Sequence, residues 1–557
     1  MGRTSCTVAL LIVSVFLAGV IATSILADEE RLPAIGPATE RRFPPLVVPS
    51  GFKATLFACD PLVEYPSVIA IGPELGTLFV AHDYMTGLGV EIVKRDEIRI
   101  LRDTDGDGYA DESQLYAQGF NSIQGLAYHD GSVFAMHAPR LTMLQDTDAD
   151  SIADVRLDLI DGLGLPPEET SDRLHCANGV VVGHDGWLYL ALGDRGCHVK
   201  RPEGDRLLFQ EGGILRCRPD GSDLHVFATG LRNIYDIALD ADLNVFVRDN
   251  ENDGGDYMIR VCHSFHGADH GYPYLYRERP AEGMRPLAAL GRGSSAGGTA
   301  YLEKSFPSEY RRSLFFCEWG RAVVRYEKQF SNGNFKLMAE TDFAAGAPSD
   351  PYGFKPTDLV VDYDGSLLIS DWCDGQRPNR GRGRIYRIAV AGQAPAKFTH
   401  VTSKTTDDVL MKLLNSTSYQ QRLAAQTSIT KRIDSEANET SKLLCLVRTS
   451  LENKSMTPVG RMHGVWIVAR SGDVSTIDDL LNVARNDPDH RVRVQAIRAI
   501  ADLSDPDLVQ HRLAAGRGDQ LLASDIADLA HNAEPRVVLE VLVAMGRLGW
   551  SDAPNWL

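Results

Sequence analysis

The stretches Thr77-Leu78-Phe79-Val80, Ser132-Val133-Phe134-Ala135, Trp187-Leu188-Tyr189-Leu190, Asn244-Val245-Phe246-Val247, Ser313-Leu314-Phe315-Phe316 and Ser366-Leu367-Leu368-Ile369 each follow a polar turn. Their starts lie 55, 55, 57, 69 and 53 residues apart. A turn and an apolar strand returning at that spacing predict one four-stranded blade per repeat, and blades bury their faces only against neighbours in a ring. Six repeats predict an all-β six-bladed propeller over residues 51–392. Its innermost strands, lining a central channel, are expected to include Ile123–Tyr128, Val180–Val182, Ile234–Leu239 and Leu359–Val361. Gly51 to Cys59 alternates as a strand and is expected to close the ring against Arg384–Ile388.

Beyond residue 395 the period changes. Arg422 to Ile433, Ile477 to Ala484, Val492 to Leu503 and Val537 to Leu548 carry apolar residues at helical spacing. Asp489-His490-Arg491-Val492 returns 45 residues later as Glu534-Pro535-Arg536-Val537, within the period of HEAT-like helical pairs. The fold class expected is an all-β six-bladed propeller followed by an all-α HEAT-like solenoid over 405–557. The array has no evident polar capping helix at its end, so it is expected to be a truncated or split form of something longer.

At the other end, Arg3 precedes an apolar run from Val8 to Leu26, and Ala27 is followed by Asp28, Glu29 and Glu30. Residues 1–27 therefore read as a signal peptide or a membrane anchor, and the Pro- and charge-rich residues 28–50 as a linker. Export to the periplasm or cell envelope is expected, with the membrane touched only through that N-terminal segment. A net charge of −18 offers no basic surface for phosphates, so no nucleic-acid partner is expected. Eight of the nine cysteines lie beyond residue 27; some can pair in an oxidising compartment, with a connectivity the sequence does not specify. No C-x-x-C-H occurs, so covalent haem is not expected.

The densest segment for chemistry is His175 to Asp194, HCANGVVVGHDGWLYLALGD. His175 opens the innermost strand of the third blade, and Arg232-Asn233 stands at the equivalent place in the fourth. Adjacent blades thus set a general base and an electrostatic partner against one small molecule; the alternative is a histidine that hydrogen-bonds a blade turn. Asp103, Asp105, Asp107 and Asp111 place oxygens at alternate positions around Gly106, like the first nine places of a calcium loop. A weaker copy runs from Asp146 to Asp154. The alternative for both is an acidic hairpin turn. His263, His266 and His270 would share one face only on a helix, and Gly267 and Gly271 argue for a loop instead of a metal or haem site.

These residues resemble the soluble quinoprotein glucose and sorbosone dehydrogenase family of six-bladed propellers. Its histidine-to-Gly-Asp stretch is similar to His175–Asp194, and its Arg-Asn pair to Arg232-Asn233. The resemblance implies that His175 takes a proton from an alcohol or sugar hydroxyl as hydride passes to pyrroloquinoline quinone (PQQ). It puts the basic residues that hold the quinone carboxylates at Arg321 and Lys355. It also makes Asp249, Asn250, Glu251 and Asp253 a calcium loop that orients the quinone. The position before the histidine, acidic in that family, is Leu174 here, so the resemblance supplies no carboxylate partner for His175. The order of parts is also similar to the predicted membrane-bound dehydrogenase-domain proteins of bacteria, in which HEAT-like helices follow the propeller.

The function expected is oxidation of an alcohol or sugar hydroxyl at the channel mouth, with an electron acceptor or protein partner on the helical repeats. The rival, from another class, is a non-catalytic scaffold whose propeller binds a glycan or a protein.

Overall fold

The computed structural model describes residues 36–84, 96–164, 175–201, 204–250, 258–372, 382–435, 441–472, 475–505 and 518–557. The apolar run Val8–Leu26 and residues Leu174, Glu251, Asp253 and Cys373 lie outside them.

Six sheets form the ring, antiparallel throughout except where Ala228 and Thr229 of blade three pair in parallel with Ala268 and Asp269. Their innermost strands are Pro66–Ile71, Ile123–His129, Ala177–Val182, Ile237–Leu239, Ser295–Ala300 and Pro356–Val361, in blades one to six. The apolar stretches that repeat in the sequence are the second strands, and all six are buried along their whole length. A second strand is sandwiched between neighbouring blades, so both of its faces need apolar side chains. This is why it reads as a continuous run and not as an alternation. Phe52–Cys59 closes the ring as outer strand of the sixth blade, with Phe52 opposite Val390 and Cys59 opposite Arg384. The long fourth-to-fifth spacing comes from the fourth blade. Its third and fourth strands are separated by a one-turn helix at Leu275–Glu278, and its outer strand is only Ala288–Ala289.

Part of the expected linker belongs to the propeller. Phe43 and Leu46 are buried in the core of blades five and six, and Val47 exchanges backbone hydrogen bonds with Ala345. Cys59, Cys197, Cys217, Cys262, Cys317 and Cys445 carry free thiols.

The helices follow in pairs: α1 (Asp407–Leu413) with α2 (Tyr419–Ser435), α3 (Lys442–Glu452) with α4 (Pro458–Ser471), α5 (Thr476–Asn486) with α6 (His490–Ser504), and α7 (Gln520–Asp528) with α8 (Pro535–Arg547). The second helix of each pair stacks on that of the next, giving the row α2, α4, α6, α8. Caps set the boundaries. The Asp489 carboxylate accepts the Arg491 N–H at the start of α6, and Thr457 and Pro458 open α4. None of the described helices is long and apolar enough to cross a membrane.

That row lies across one face of the propeller, over the turns between first and second strands. On α6, Gln495, Arg498 and Asp502 share one stripe. Gln495 donates to the Asp242 carbonyl (2.8 Å), Arg498 to the Leu243 carbonyl (2.9 Å), and Asp502 accepts from Arg216 (2.9 Å) and the Trp187 indole (3.0 Å). One apolar core runs from Trp187 and Ile214 of the propeller into Val465 and Ile497 of the helices. The helical region therefore closes one end of the ring, and the His175 end is left as the mouth.

Candidate active site at the channel mouth

His175 sits just before the innermost strand of blade three with a left-handed backbone, φ 61°. Ala177 pairs with Leu192 across the first hairpin of that blade. The same register carried two residues further sets His175 opposite Asp194. Their side chains meet, His175 Nδ1 lying 2.7 Å from Asp194 Oδ1. The other carboxylate oxygen accepts the Tyr272 hydroxyl at 2.8 Å. Gly193 permits the approach, because a Cβ there would lie 2.4 Å from His175 Cα and 2.5 Å from Asn233 Oδ1.

Burial pushes the Asp194 carboxyl up, but the His175 hydrogen bond and charge, the Tyr272 hydroxyl and the Arg232 guanidinium outweigh it and hold the group below the usual range. An ionised Asp194 can only accept, so Nδ1 of a neutral His175 carries the proton and Nε2 carries the lone pair. The expectation that His175 has no carboxylate partner is thus corrected: the partner comes from the end of the second strand. Its signal in the sequence was the hairpin register, which places residues 175 and 194 side by side.

Arg232 and Asn233 stand at the same mouth on blade four. Asn233 Oδ1 accepts from Asn178 Nδ2 (2.9 Å), which also donates to the Ile234 carbonyl. Beneath them lies Asp249. Its carboxylate accepts the backbone N–H groups of Arg232, Asn233 and Asn250 at 2.9–3.2 Å and pairs with Arg260 Nη2 at 2.7 Å. With both oxygens so engaged, Asp249 holds the Arg232-Asn233 backbone in place. Asn250 follows it, and Glu251 and Asp253 lie outside the described residues.

The two residues expected to hold quinone carboxylates differ in their surroundings. Arg321, on a turn of blade five, is paired with Asp342 at 2.6 Å. Lys355 precedes the innermost strand of blade six as His175 precedes that of blade three, with its ammonium 4.0 Å above the Trp319 ring.

The acidic loops lie at the opposite end of the ring. Carboxylate oxygens of Asp103, Asp105 and Asp111 come within 4.8 Å of one another, as do those of Asp146, Asp148 and Asp154. Asp107 is outside the first set, and its carboxylate accepts the Tyr109 N–H. Three converging carboxylates suit a hard cation. The three histidines serve packing: His263 contacts Asn334, His270 contacts Ser264, and His266 lies against Phe227. Burial pushes His263 and His270 down to about 3.

Residues 39–391 match the family described as a domain of unknown function (DUF7133). The chain belongs to that family. No curated protein matches it. Among solved structures, it is similar to a protein of Thermus thermophilus described as an oxidoreductase (glucose dehydrogenase), at 20% identity over 61% of this chain and all of that one, TM-score 0.46. It is similar to the PQQ-bound aldose sugar dehydrogenase of Streptomyces coelicolor, at 16% identity over 62% and 99% of the two chains, TM-score 0.45. It is likewise similar to the PQQ domain of a pyranose dehydrogenase from Coprinopsis cinerea, at 16% identity over 62% and 97%, TM-score 0.44.

Proposed function

We propose that this DUF7133 protein oxidises an alcohol or sugar hydroxyl at the channel mouth. The observation that carries the reading is the His175–Asp194–Tyr272 chain of hydrogen bonds beside Arg232 and Asn233. His175 Nε2 takes the hydroxyl proton as the O–H bond breaks, and Asp194 stabilises the imidazolium that forms. Asn233 and Arg232 orient the oxygen and offset its developing negative charge. The hydride leaving the same carbon needs a two-electron acceptor, and bound PQQ would supply it. The donor set fits an anionic quinone in part: Arg232 and Lys355 would hold it, whereas Arg321 is engaged by Asp342. That same pairing favours the second reading, a non-catalytic propeller that binds a glycan.

The test is an absorbance titration of purified protein with PQQ and calcium, followed by a dye-reduction assay on a panel of sugars and alcohols. A saturable spectral change with dye reduction that His175→Ala removes is expected. No spectral change would exclude the quinone, and reduction surviving the substitution would exclude His175 as base.

A further inference from the structure

Below the mouth the channel widens into a chamber of about 790 Å³ that none of His175, Asp194, Arg232 or Asn233 lines. Tyr235 roofs it. This residue of blade four packs both on the core of blades one and two and on that of blades five and six, so its ring lies across the channel. The floor is α2, with Thr427, Ser428 and Lys431 among its lining residues, together with Phe398 and residues 400–403.

The walls carry three kinds of group. Val68, Ala70, Leu126, Val180, Ile237 and Leu359 make an aliphatic sleeve contributed by five blades. Tyr128, Tyr235, Tyr363, Phe398 and Tyr419 add aromatic rings. Asp236 and Asp358 project into the deep end, and Glu303 lies nearer the floor. Two glycines make room for the deep pair: a Cβ on Gly179 would lie 2.5 Å from Asp236 Oδ1, and one on Gly297 would lie 2.4 Å from Asp358 Oδ1.

The deep carboxylates accept only backbone N–H groups among the described residues. Asp236 takes those of Ile237 (2.8 Å) and Gly298 (3.2 Å), and Asp358 those of Ile69 and Leu359 (both 2.8 Å). Neither has a cationic partner there. The only lysine and arginine among the described lining residues are Lys431 and Arg432, in the last turns of α2, and they pair with Asp130 and Asp407. Buried carboxylates without counter-charge are costly. Burial raises both from the ordinary carboxylate range, Asp358 to about 7, with the Asp358 charge adding to the effect on Asp236.

We infer that this chamber is a second binding site, for a small organic ammonium whose nitrogen lies against Asp236 and Asp358 and whose apolar body runs along the sleeve and the rings. A metal ion fits less well. A hard cation asks for six or more oxygens in a tight cage, whereas this space is drug-sized and largely apolar. Aromatic rings beside carboxylates suit an ammonium through cation–π attraction and charge-assisted hydrogen bonds.

The test compares 4-phenylbutylammonium with 4-phenylbutan-1-ol by calorimetric titration of the full chain at pH 8. The ammonium is expected to bind roughly ten times more tightly or better. Asp236→Asn with Asp358→Asn should reduce it to the level of the alcohol. Because Asp358 also ties blade six to blade one, Thr427→Trp, which fills part of the chamber from its floor and leaves the carboxylates intact, provides a second variant and should weaken both probes. Equal affinity for the two probes, binding of neither, or undiminished binding in folded Thr427→Trp would overturn the inference. None of these readouts involves quinone or turnover, so the site stands or falls independently of the mouth chemistry.

Discussion

Asp194 at the mouth and Asp502 on α6, where the helices meet the propeller, are both aspartates held below the ordinary carboxylate range, by different means. Asp194 is 22% exposed and is held by one imidazole and one phenol. Asp502 is 3% exposed and lies between the guanidiniums of Arg216 (2.9 Å) and Arg547 (2.7 Å), with the Trp187 indole donating from the side. Burial pushes the Asp502 carboxyl up, but the two guanidiniums drive it far below its usual value. Asp194's partner is an imidazole, whose second ring nitrogen can take up a proton. Asp502's partners cannot, because arginine remains protonated. One end of the ring is therefore suited to proton transfer, and the other is locked by charges that do not titrate.

The largest effect that could break this comparison is at Asp502. Asp502→Ala would take away the carboxylate that buried Arg216 and Arg547 share, leaving Arg216 with Asp185 at 3.9 Å and Arg547 with Asp505 at 3.1 Å, and a loss toward the lower end of about 3–5 kcal/mol in denaturant unfolding is expected. The sign of the pH dependence follows from the lowered pKa. The stabilisation is present above the unfolded value, about 4, and is lost as pH falls below it. An acid-unfolding midpoint that does not move in Asp502→Asn would deny this carboxylate its role in fastening the helices.

Next in size is His175. If it is the base, His175→Ala should lower turnover by about 10²-fold or more. Thermal stability should fall only by the worth of the lost hydrogen bond to Asp194, about 1.5–3 kcal/mol. Lost stability with unchanged turnover would make it a turn-binding histidine and erase the functional half of the contrast. Tyr272→Phe should act on the same chain more gently. It removes one hydrogen bond to the ionised Asp194 carboxylate, worth about 1.5–3 kcal/mol, and should slow turnover roughly tenfold without unfolding the protein.

The mouth was more legible in the sequence than the sealed end, for a physical reason. The blade rhythm is written in second strands buried on both faces, so the ring, its closure by Phe52–Cys59 and the channel-mouth positions of His175 and Arg232-Asn233 follow from local pattern. Asp194 was hidden because its link to His175 runs through hairpin register, not through adjacency. Asp249's hold on the Arg232 and Asn233 N–H groups was hidden because sequence does not show whether a carboxylate faces solvent or the backbone. Residues 36–50 read as linker from their prolines and charges, although Phe43 and Leu46 are buried. The docking of the helices was not legible at all: Arg216 and Asp502 are 286 residues apart and meet only once both domains have formed.

The smallest expected effect belongs to the two acidic loops, which lie at the sealed end and sharpen the contrast by leaving the mouth untouched. In the first loop the turn passes through Gly106 and Gly108 at φ 75° and 91°; in its copy the same turn passes through Ala149 and Ser151 at φ 65° and 69°. Side chains adopt that region at a cost, yet the copy keeps the geometry: Thr147 donates to Asp154 as Thr104 does to Asp111. If calcium binds the folded loops, its binding adds to stability by mass action. Millimolar calcium should then raise the melting temperature over chelator by a few degrees, about 2–4 °C for each kcal/mol gained. Asp103→Asn with Asp105→Asn should abolish more of that shift than Asp146→Asn with Asp148→Asn, because the glycine-bearing loop closes around an ion without backbone strain. A melting temperature identical in chelator and calcium would leave both loops as hydrogen-bonded turns. A calcium effect that survives both double substitutions would move the ion elsewhere, to the stretch after Asp249, and so return it to the catalytic end of the ring.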